Sequence, residues 1–283
     1  MTSRLYLVFD QSCKTITLPA EDCHYLLRVL RLRDGDPIYI FNEHMGEWQA
    51  TLVNVTKSSC SLRIDLLRRP PGGEPFTCLA FAPLKHDAMS YVYEKATELG
   101  VTHFQPLMTD YAQRYNQHPD KITKQLKQAS QQCERLSIPT VMPAMRLDEF
   151  IKALEQNCFY GKVYAAIERL EGEGSLLQLF MGDRIHRGEK THVYAGQNDS
   201  AANIEKKDRV DIGTSEEDCS EIKTSVKNAA LTLLIGPEGG FSEREKKLIQ
   251  GAGQVTAVSF GNTILRADTA AVVGLGCLGL LRN

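Results

Sequence analysis

The sequence predicts an α/β protein in which a small β-rich unit precedes a larger domain of alternating strands and helices. Three features predict it. Short β-rich runs separated by turn residues occupy the first 67 positions. RRPPGGEP, Arg68 to Pro75, sets adjacent prolines beside adjacent glycines with no apolar anchor, which suits a linker. Beyond it, apolar runs alternate with segments of helical period, the pattern of a largely parallel sheet.

In the first unit, residues 1–70, the strands expected are Pro37 to Phe41, Glu47 to Val55 and Cys60 to Leu67, divided by the turn-like NEHMG and KSS. They read as a meander or small barrel. One helix is inserted early, over Ala20 to Leu32. On a helical period Leu26, Val29 and Leu30 share its inner side, and His24, Arg28 and Arg31 share the outer one.

In the second unit, residues 76–283, Thr77 to Leu84 reads as a buried strand and His86 to Leu99 as a helix stopped by Gly100. Val101 to Thr109 is a second strand, and Asp120 to Arg135 a second helix. Lys162 to Glu168, Leu231 to Ile235 and Val255 to Phe260 are further strands. The stretch 183–228 is polar and too long for an ordinary connection, so it reads as an exposed insertion.

Bulk properties narrow the function. The 283 residues carry a formal net charge of −2, so nucleic-acid contact requires a local basic patch. None of the eight cysteines lie in C-x-x-C pairs, and no metal site is expected. MTSRLYLVFD lacks the features of a signal peptide, and TAAVVGLGCLGLL is shorter than the about 20 residues of a membrane span. A cytoplasmic protein with reduced thiols is the expectation.

Two glycine turns carry the chemistry. LLIGPEGGFSEREKKLI, Leu233 to Ile249, leads from a strand through a turn into a helix capped by Ser242 and Glu245 as S-x-x-E. That is where ligands sit in α/β sheets. The turn contains no cation and does contain Glu238, which disfavours a triphosphate and suits a positively charged, adenosine-bearing ligand. FGNTILRADTA, Phe260 to Ala270, leaves another strand through a Gly-Asn turn and supplies a second wall. GLGCLG, with Gly274, Gly276 and Gly279, matches a dinucleotide fingerprint only formally, since no acidic residue or strand follows it. Those glycines are expected to let a helix pack closely.

Together these stretches resemble the paired signature of the SPOUT methyltransferases, and most specifically the ribosomal RNA small subunit methyltransferase E family, which methylates uracil N3 in 16S rRNA. HYLLRVLRLRDGDPIYIF, KHDAMSYVYEKATELGV and QQCERLSIPTV resemble further motifs of that family. Phe260 stands where leucine is usual, Asp268 replaces a glutamate, Gln131 replaces an acidic residue, and the 183–228 insertion has no counterpart.

The resemblance implies an N-terminal PUA-like β-barrel, a SPOUT α/β domain with a C-terminal trefoil knot, and a homodimer with the apolar C-terminal helix in its interface. It implies S-adenosyl-L-methionine as cofactor and the small ribosomal subunit as partner. Cofactor contacts are expected from Ala166, Ile167 and Glu168, and from Ile235, Gly236, Pro237, Glu238, Gly239 and Gly240. Phe260, Gly261, Ile264, Leu265, Thr269 and Ala270 complete the set.

Arg266 follows the second turn directly. It is the candidate to stabilise charge on the uracil oxygens as the N3 proton leaves, or else it forms an ion pair with Asp268 or with a carboxylate across the dimer. Glu98 is either a site residue or a salt-bridge partner. RNA contacts are expected from Arg4, His24, Arg28, Arg31, Lys85 and Arg135. Two other readings stay open: a SPOUT enzyme acting on another base or a ribose, and a non-catalytic RNA-binding assembly factor.

Overall fold

The computed structural model describes residues 3–10, 12–115, 118–156, 159–167, 174–175, 230–261 and 263–282. Glu168 and the 183–228 insertion lie outside them.

The N-terminal part is a five-stranded sheet in the order β1-β3-β4-β5-β2. Its strands are β1 (Arg4–Tyr6), β2 (Thr15–Thr17), β3 (Pro37–Asn42), β4 (Gly46–Val53) and β5 (Ser61–Arg69). β3, β4 and β5 form the expected antiparallel meander, while β1 joins β3 in parallel and β2 pairs with β5. Ile38, Ile40, Ala50, Leu52 and Leu62 alternate onto one side and close a core with Leu5 and Leu26, all at most 1% exposed. Each such buried aliphatic side chain contributes roughly 1.5–3 kcal/mol.

The early helix departs from expectation. Only α1 (Ala20–His24) is α-helical, and Tyr25–Val29 continues as a π-turn closed by the Leu30 amide donating to the Tyr25 carbonyl at 3.0 Å. The wider π-turn breaks the 3.6-residue period, so Leu26 is buried but Val29 is swung outward to 59% exposure. The turn ends at Arg31, whose φ is +58°.

The second part is an eight-stranded sheet in which all pairings are parallel. Its main path runs β11 (Gly174–Ser175), β13 (Val255–Ser259), β10 (Lys162–Ala166), β12 (Leu231–Ile235), β6 (Thr77–Phe81), β7 (His103–Met108), β8 (Thr140–Val141), with β9 (Met145–Arg146) beside β7. Helices cover both faces. α2 (His86–Glu98), α3 (Pro119–Gln132) and α6 (Ala267–Arg282) pack against Leu79, Phe81, Leu233 and Ile235. α4 (Leu147–Gln156) and α5 (Glu243–Gly251) pack against Cys78, Ala80 and Leu234. Two covered faces explain why β6 and β12 are buried along their whole length, with Thr232 in β12 donating its hydroxyl to the Tyr160 carbonyl at 2.7 Å.

The glycines of α6 divide by role. A Cβ at Gly274 would meet Leu233 at 2.7 Å and Phe260 at 2.8 Å, so only glycine lets α6 lie this close to the sheet. Around Gly276 and Gly279 a Cβ would meet nothing within 4 Å.

Polar contacts tie the two parts together. The Arg4 guanidinium donates to the Gln131 carbonyl, and the Gln131 amide donates back to the Arg4 carbonyl at 2.8 Å. Arg69 donates to the Glu134 carbonyl at 2.7 Å, and Lys127 reaches Asp22 at 3.7 Å.

Candidate active site

The carboxyl ends of β6, β10, β12 and β13 open into a cavity of about 1510 Å³. One wall is the GPEGG turn between β12 and α5, and another is the turn between β13 and α6. The N-terminal turns of α2 complete it. Of the expected cofactor residues, Ala166, Ile167, Ile235, Gly236, Pro237, Glu238, Gly239, Gly240, Phe260, Gly261, Ile264, Leu265 and Ala270 all line this one cavity. Glu168 lies outside the described residues. Thr269 does not line the cavity: its amide and hydroxyl turn instead to the Asp268 carboxylate, at 2.7 and 3.2 Å.

Gly240 has φ +72° and Gly261 φ +121°, conformations that favour glycine. Neither has a heavy atom within 4 Å of where a Cβ would stand. The backbone is therefore open at Gly240 and Gly261. At the other glycines of the first turn a Cβ would meet a neighbour, the Phe241 ring at 2.8 Å for Gly236 and Tyr111 at 3.5 Å for Gly239, and the Gly240 amide donates to the Pro237 carbonyl at 2.8 Å.

The GPEGG turn is anchored from behind. Ser242 caps α5 and the capping box is complete: the Glu245 amide donates to the Ser242 hydroxyl and the Ser242 amide donates to the Glu245 carboxylate at 2.9 Å. Glu245 is only 1% exposed, and its other oxygen accepts the Asp110 amide at 2.9 Å. Asp110 in turn accepts the Ser242 hydroxyl at 2.6 Å and Arg244 at 3.0 Å. The Ser242 hydroxyl, and then Arg244, hold the Asp110 carboxyl below its ordinary value. The loop after β7 thus clamps the turn after β12.

The charges lining the cavity are mixed. Asp87, Glu238 and Asp268 face Lys85, Lys246 and Arg266. The turn itself holds no cation, but neighbouring elements bring three. Lys246 is paired with Glu243 at 2.8 Å. Among the described residues, Arg266 and Lys85 have no carboxylate within ion-pairing distance, so the expected alternative of an Arg266–Asp268 pair is not formed. Three acidic and three basic side chains give a lining of balanced charge, which suits a zwitterionic ligand.

The expected RNA-contacting residues separate. His24 at the end of α1, Arg28 in the π-turn and Arg31 just after it are exposed, and Arg28 donates to the Lys57 carbonyl at 3.2 Å. Lys85 is exposed at the mouth of α2 and lines the cavity. Arg4 is only 8% exposed, is paired with Glu47 at 2.9 Å and lies 4.2 Å over the Phe41 ring. Its guanidinium is consumed by structure, and it does not extend the patch. Arg135 is likewise committed: it pairs with Glu74 and donates to the Thr97 and Val101 carbonyls at 2.9 and 2.6 Å. Glu98 pairs with Lys95 at 2.9 Å and does not line the cavity.

Cavity residues that sequence reasoning did not single out include Asp87, Tyr91 and Lys246. The available signal was their position on the first turns of helices that follow sheet strands. Among the described residues no group of three or more His, Cys, Asp or Glu is placed to hold a metal ion, and no helix is long and apolar enough to cross a membrane.

Fold and site together define a class: a parallel α/β domain with a small-ligand cavity at its strand ends, preceded by a compact β-unit. The chain belongs to the RNA methyltransferase family, matching its RNA methyltransferase domain over residues 74–196 and 190–279. Residues 18–65 match the RNA methyltransferase PUA domain, so the first unit is PUA-like. Among curated relatives, ribosomal RNA small subunit methyltransferase E of Rickettsia conorii is 27% identical over 91% of this chain and 86% of its own. The Synechocystis protein of the same name is 26% identical over 99% and 78%. The fold is shared with the Neisseria gonorrhoeae enzyme of that name bound to S-adenosyl methionine, at TM-score 0.69, 22% identity and coverage of 97% and 95%. A Legionella pneumophila methyltransferase structure with bound SAM gives TM-score 0.70 at 23% identity, covering 98% and 97%.

Proposed function

We propose that the protein is an S-adenosylmethionine-dependent methyltransferase that modifies N3 of a uridine in 16S rRNA of the small ribosomal subunit. The observation that carries this reading is the cavity: two glycine turns, open at Gly240 and Gly261, face one space, and Arg266 stands exposed at its edge with no carboxylate partner among the described residues. Membership of the RNA methyltransferase family and the names of the curated relatives support the substrate class.

The residues fit the cofactor. Ala166, Ile235, Pro237, Phe260, Ile264 and Leu265 offer apolar walls for an adenine, and Gly240 and Gly261 offer main-chain groups for its edges. Asp87, Glu238 and Asp268 supply acidic groups in the same space for a ligand bearing positive charge. When bound, the cofactor supplies a methyl group already activated on sulfur.

This chain's own residues do the rest. Arg266 holds the uracil carbonyl oxygens and stabilises the negative charge that spreads onto them as N3 loses its proton. Lys85, at the cavity mouth, takes a backbone phosphate of the target strand. His24, Arg28 and Arg31 bind phosphates away from the cavity and orient the RNA.

Residues 1–70 and 76–283 act as RNA-binding and catalytic domains. The chain beyond β10 is threaded as a trefoil knot. Two copies associate through α6, whose Val273 and Leu280 are 39% and 58% exposed. The protein works in the cytoplasm.

The test is methyl transfer from labelled cofactor to purified 30S subunits and to naked 16S rRNA. Incorporation into rRNA that depends on Arg266 supports the reading. Cofactor binding without transfer to either substrate would return the protein to a non-catalytic assembly role.

A further inference from the structure

α2 carries two tyrosines with opposite fates. Tyr93 is 1% exposed and packs edge-on against Phe104 and Phe81, with ring centroids 4.9 and 6.0 Å away. Tyr91 is 46% exposed and lines the cavity. Among the described residues its ring stacks on no other aromatic and its hydroxyl has no hydrogen-bond partner. It shares one helix face with Asp87 and Ala88, one turn earlier, and both also line the cavity. Ala88 is small, so the flank of the ring is left clear.

The cavity is also larger than one ligand needs. Its volume of about 1510 Å³ exceeds the roughly 300–1,000 Å³ of a small-ligand site. The two glycine turns rise from β12 and β13, whereas α2 follows β6, so Tyr91 belongs to a different wall from the backbone open at Gly240 and Gly261.

We propose that Tyr91 is the platform on which the base to be methylated stacks after it swings out of the RNA stack, still joined to its strand. This rests on the function proposed above and names the part of the site that takes its substrate. A base withdrawn from a stack loses its neighbours, and an aromatic side chain with an open face replaces one of them. Stacking is indifferent to the tyrosine hydroxyl and demands the ring. Phosphate and carbonyl contacts remain with Lys85 and Arg266, which line the same cavity.

The test uses the full chain as wild type, Tyr91→Phe and Tyr91→Ala, with 30S subunits, 16S rRNA and labelled S-adenosylmethionine. Three quantities are measured: kcat/KM for RNA, cofactor affinity by calorimetry, and oligomeric state by sedimentation. The expected result is near-wild-type behaviour for Tyr91→Phe and a loss of about 5- to 100-fold in kcat/KM for Tyr91→Ala. Cofactor affinity and oligomeric state stay unchanged. If Tyr91→Ala fails to fold, Tyr91→Leu keeps the bulk without the planar face and is expected to show the same loss. Unaltered kcat/KM in an active background would overturn the proposal. So would a parallel loss of cofactor affinity, which assigns Tyr91 to the cofactor, or a changed oligomeric state, which assigns it to the surface meeting a second copy. A wild-type protein that transfers no methyl group would remove the underlying functional reading and the Tyr91 proposal together.

Discussion

In the proposed reaction Arg266 is the residue on which the chemistry turns. It is exposed at the cavity edge, and its carbonyl accepts the Ala270 amide at 2.8 Å, which fixes its backbone at the start of α6. Replacing Arg266 by Ala is expected to lower kcat by about 10²–10³-fold, the usual cost of removing one donor to a developing anion. Calorimetry should show cofactor affinity little changed; equal losses in both would make Arg266 a cofactor ligand. Asp110 is the residue that positions the GPEGG turn. Because its folded pKa is lowered, its stabilising contribution is fully present above the ordinary value of 3.8 and is lost as the pH falls through the lower value it holds in the fold. Asp110→Asn should therefore lower Tm at neutral pH, and the gap from wild type should close on acidification. A gap that persisted into acid would show that the carboxylate charge is irrelevant.

At the scale of elements, α6 and the turn before it act as one part. Gly274 lets the helix approach Leu233 and the Phe260 ring, and Phe260 is itself a wall of the cavity. Gly274→Val is expected to destabilise the protein by about 1–3 kcal/mol through overpacking. It should also weaken cofactor binding, because Phe260 must move; a stability loss with unchanged affinity would separate the two. The glycine turns and the capping box were legible in the sequence because each is encoded within a few adjacent residues. Close packing was expected of Gly274, Gly276 and Gly279 alike, but only Gly274 shows it, because its neighbours Leu233 and Phe260 are brought up by the fold from other elements. α4 left a readable signal in Leu147, Phe150, Ile151 and Leu154, all buried at helical spacing, yet it was not among the elements expected. The π-turn could not be read, since its sequence fits a regular helix and only the fold sets the wider spacing that exposes Val29. Arg4 was misplaced for a related reason: its partners Glu47, Phe41 and Gln131 are distant in sequence, and nothing near Arg4 announces them.

For the whole molecule, the structure joins a PUA-like unit to a parallel α/β domain through Arg4, Arg69 and Lys127. The basic face and the cavity therefore belong to different units that touch. The alternation of apolar runs made the parallel sheet predictable, whereas strand order required the pairings themselves. Arg28→Glu combined with Arg31→Glu should weaken RNA binding and flatten its salt dependence by about one unit of log–log slope for each phosphate left without its arginine. An unchanged slope would mean that RNA is held elsewhere. Nucleoside mass analysis of the product tests most directly whether the cavity, as proposed, carries methyl to uridine N3 in 16S rRNA. After reaction with labelled S-adenosylmethionine, the digested rRNA should contain 3-methyluridine at a single position, and none when Arg266 is replaced by Ala. Label found on another base, on a ribose hydroxyl, or nowhere in the RNA would contradict it.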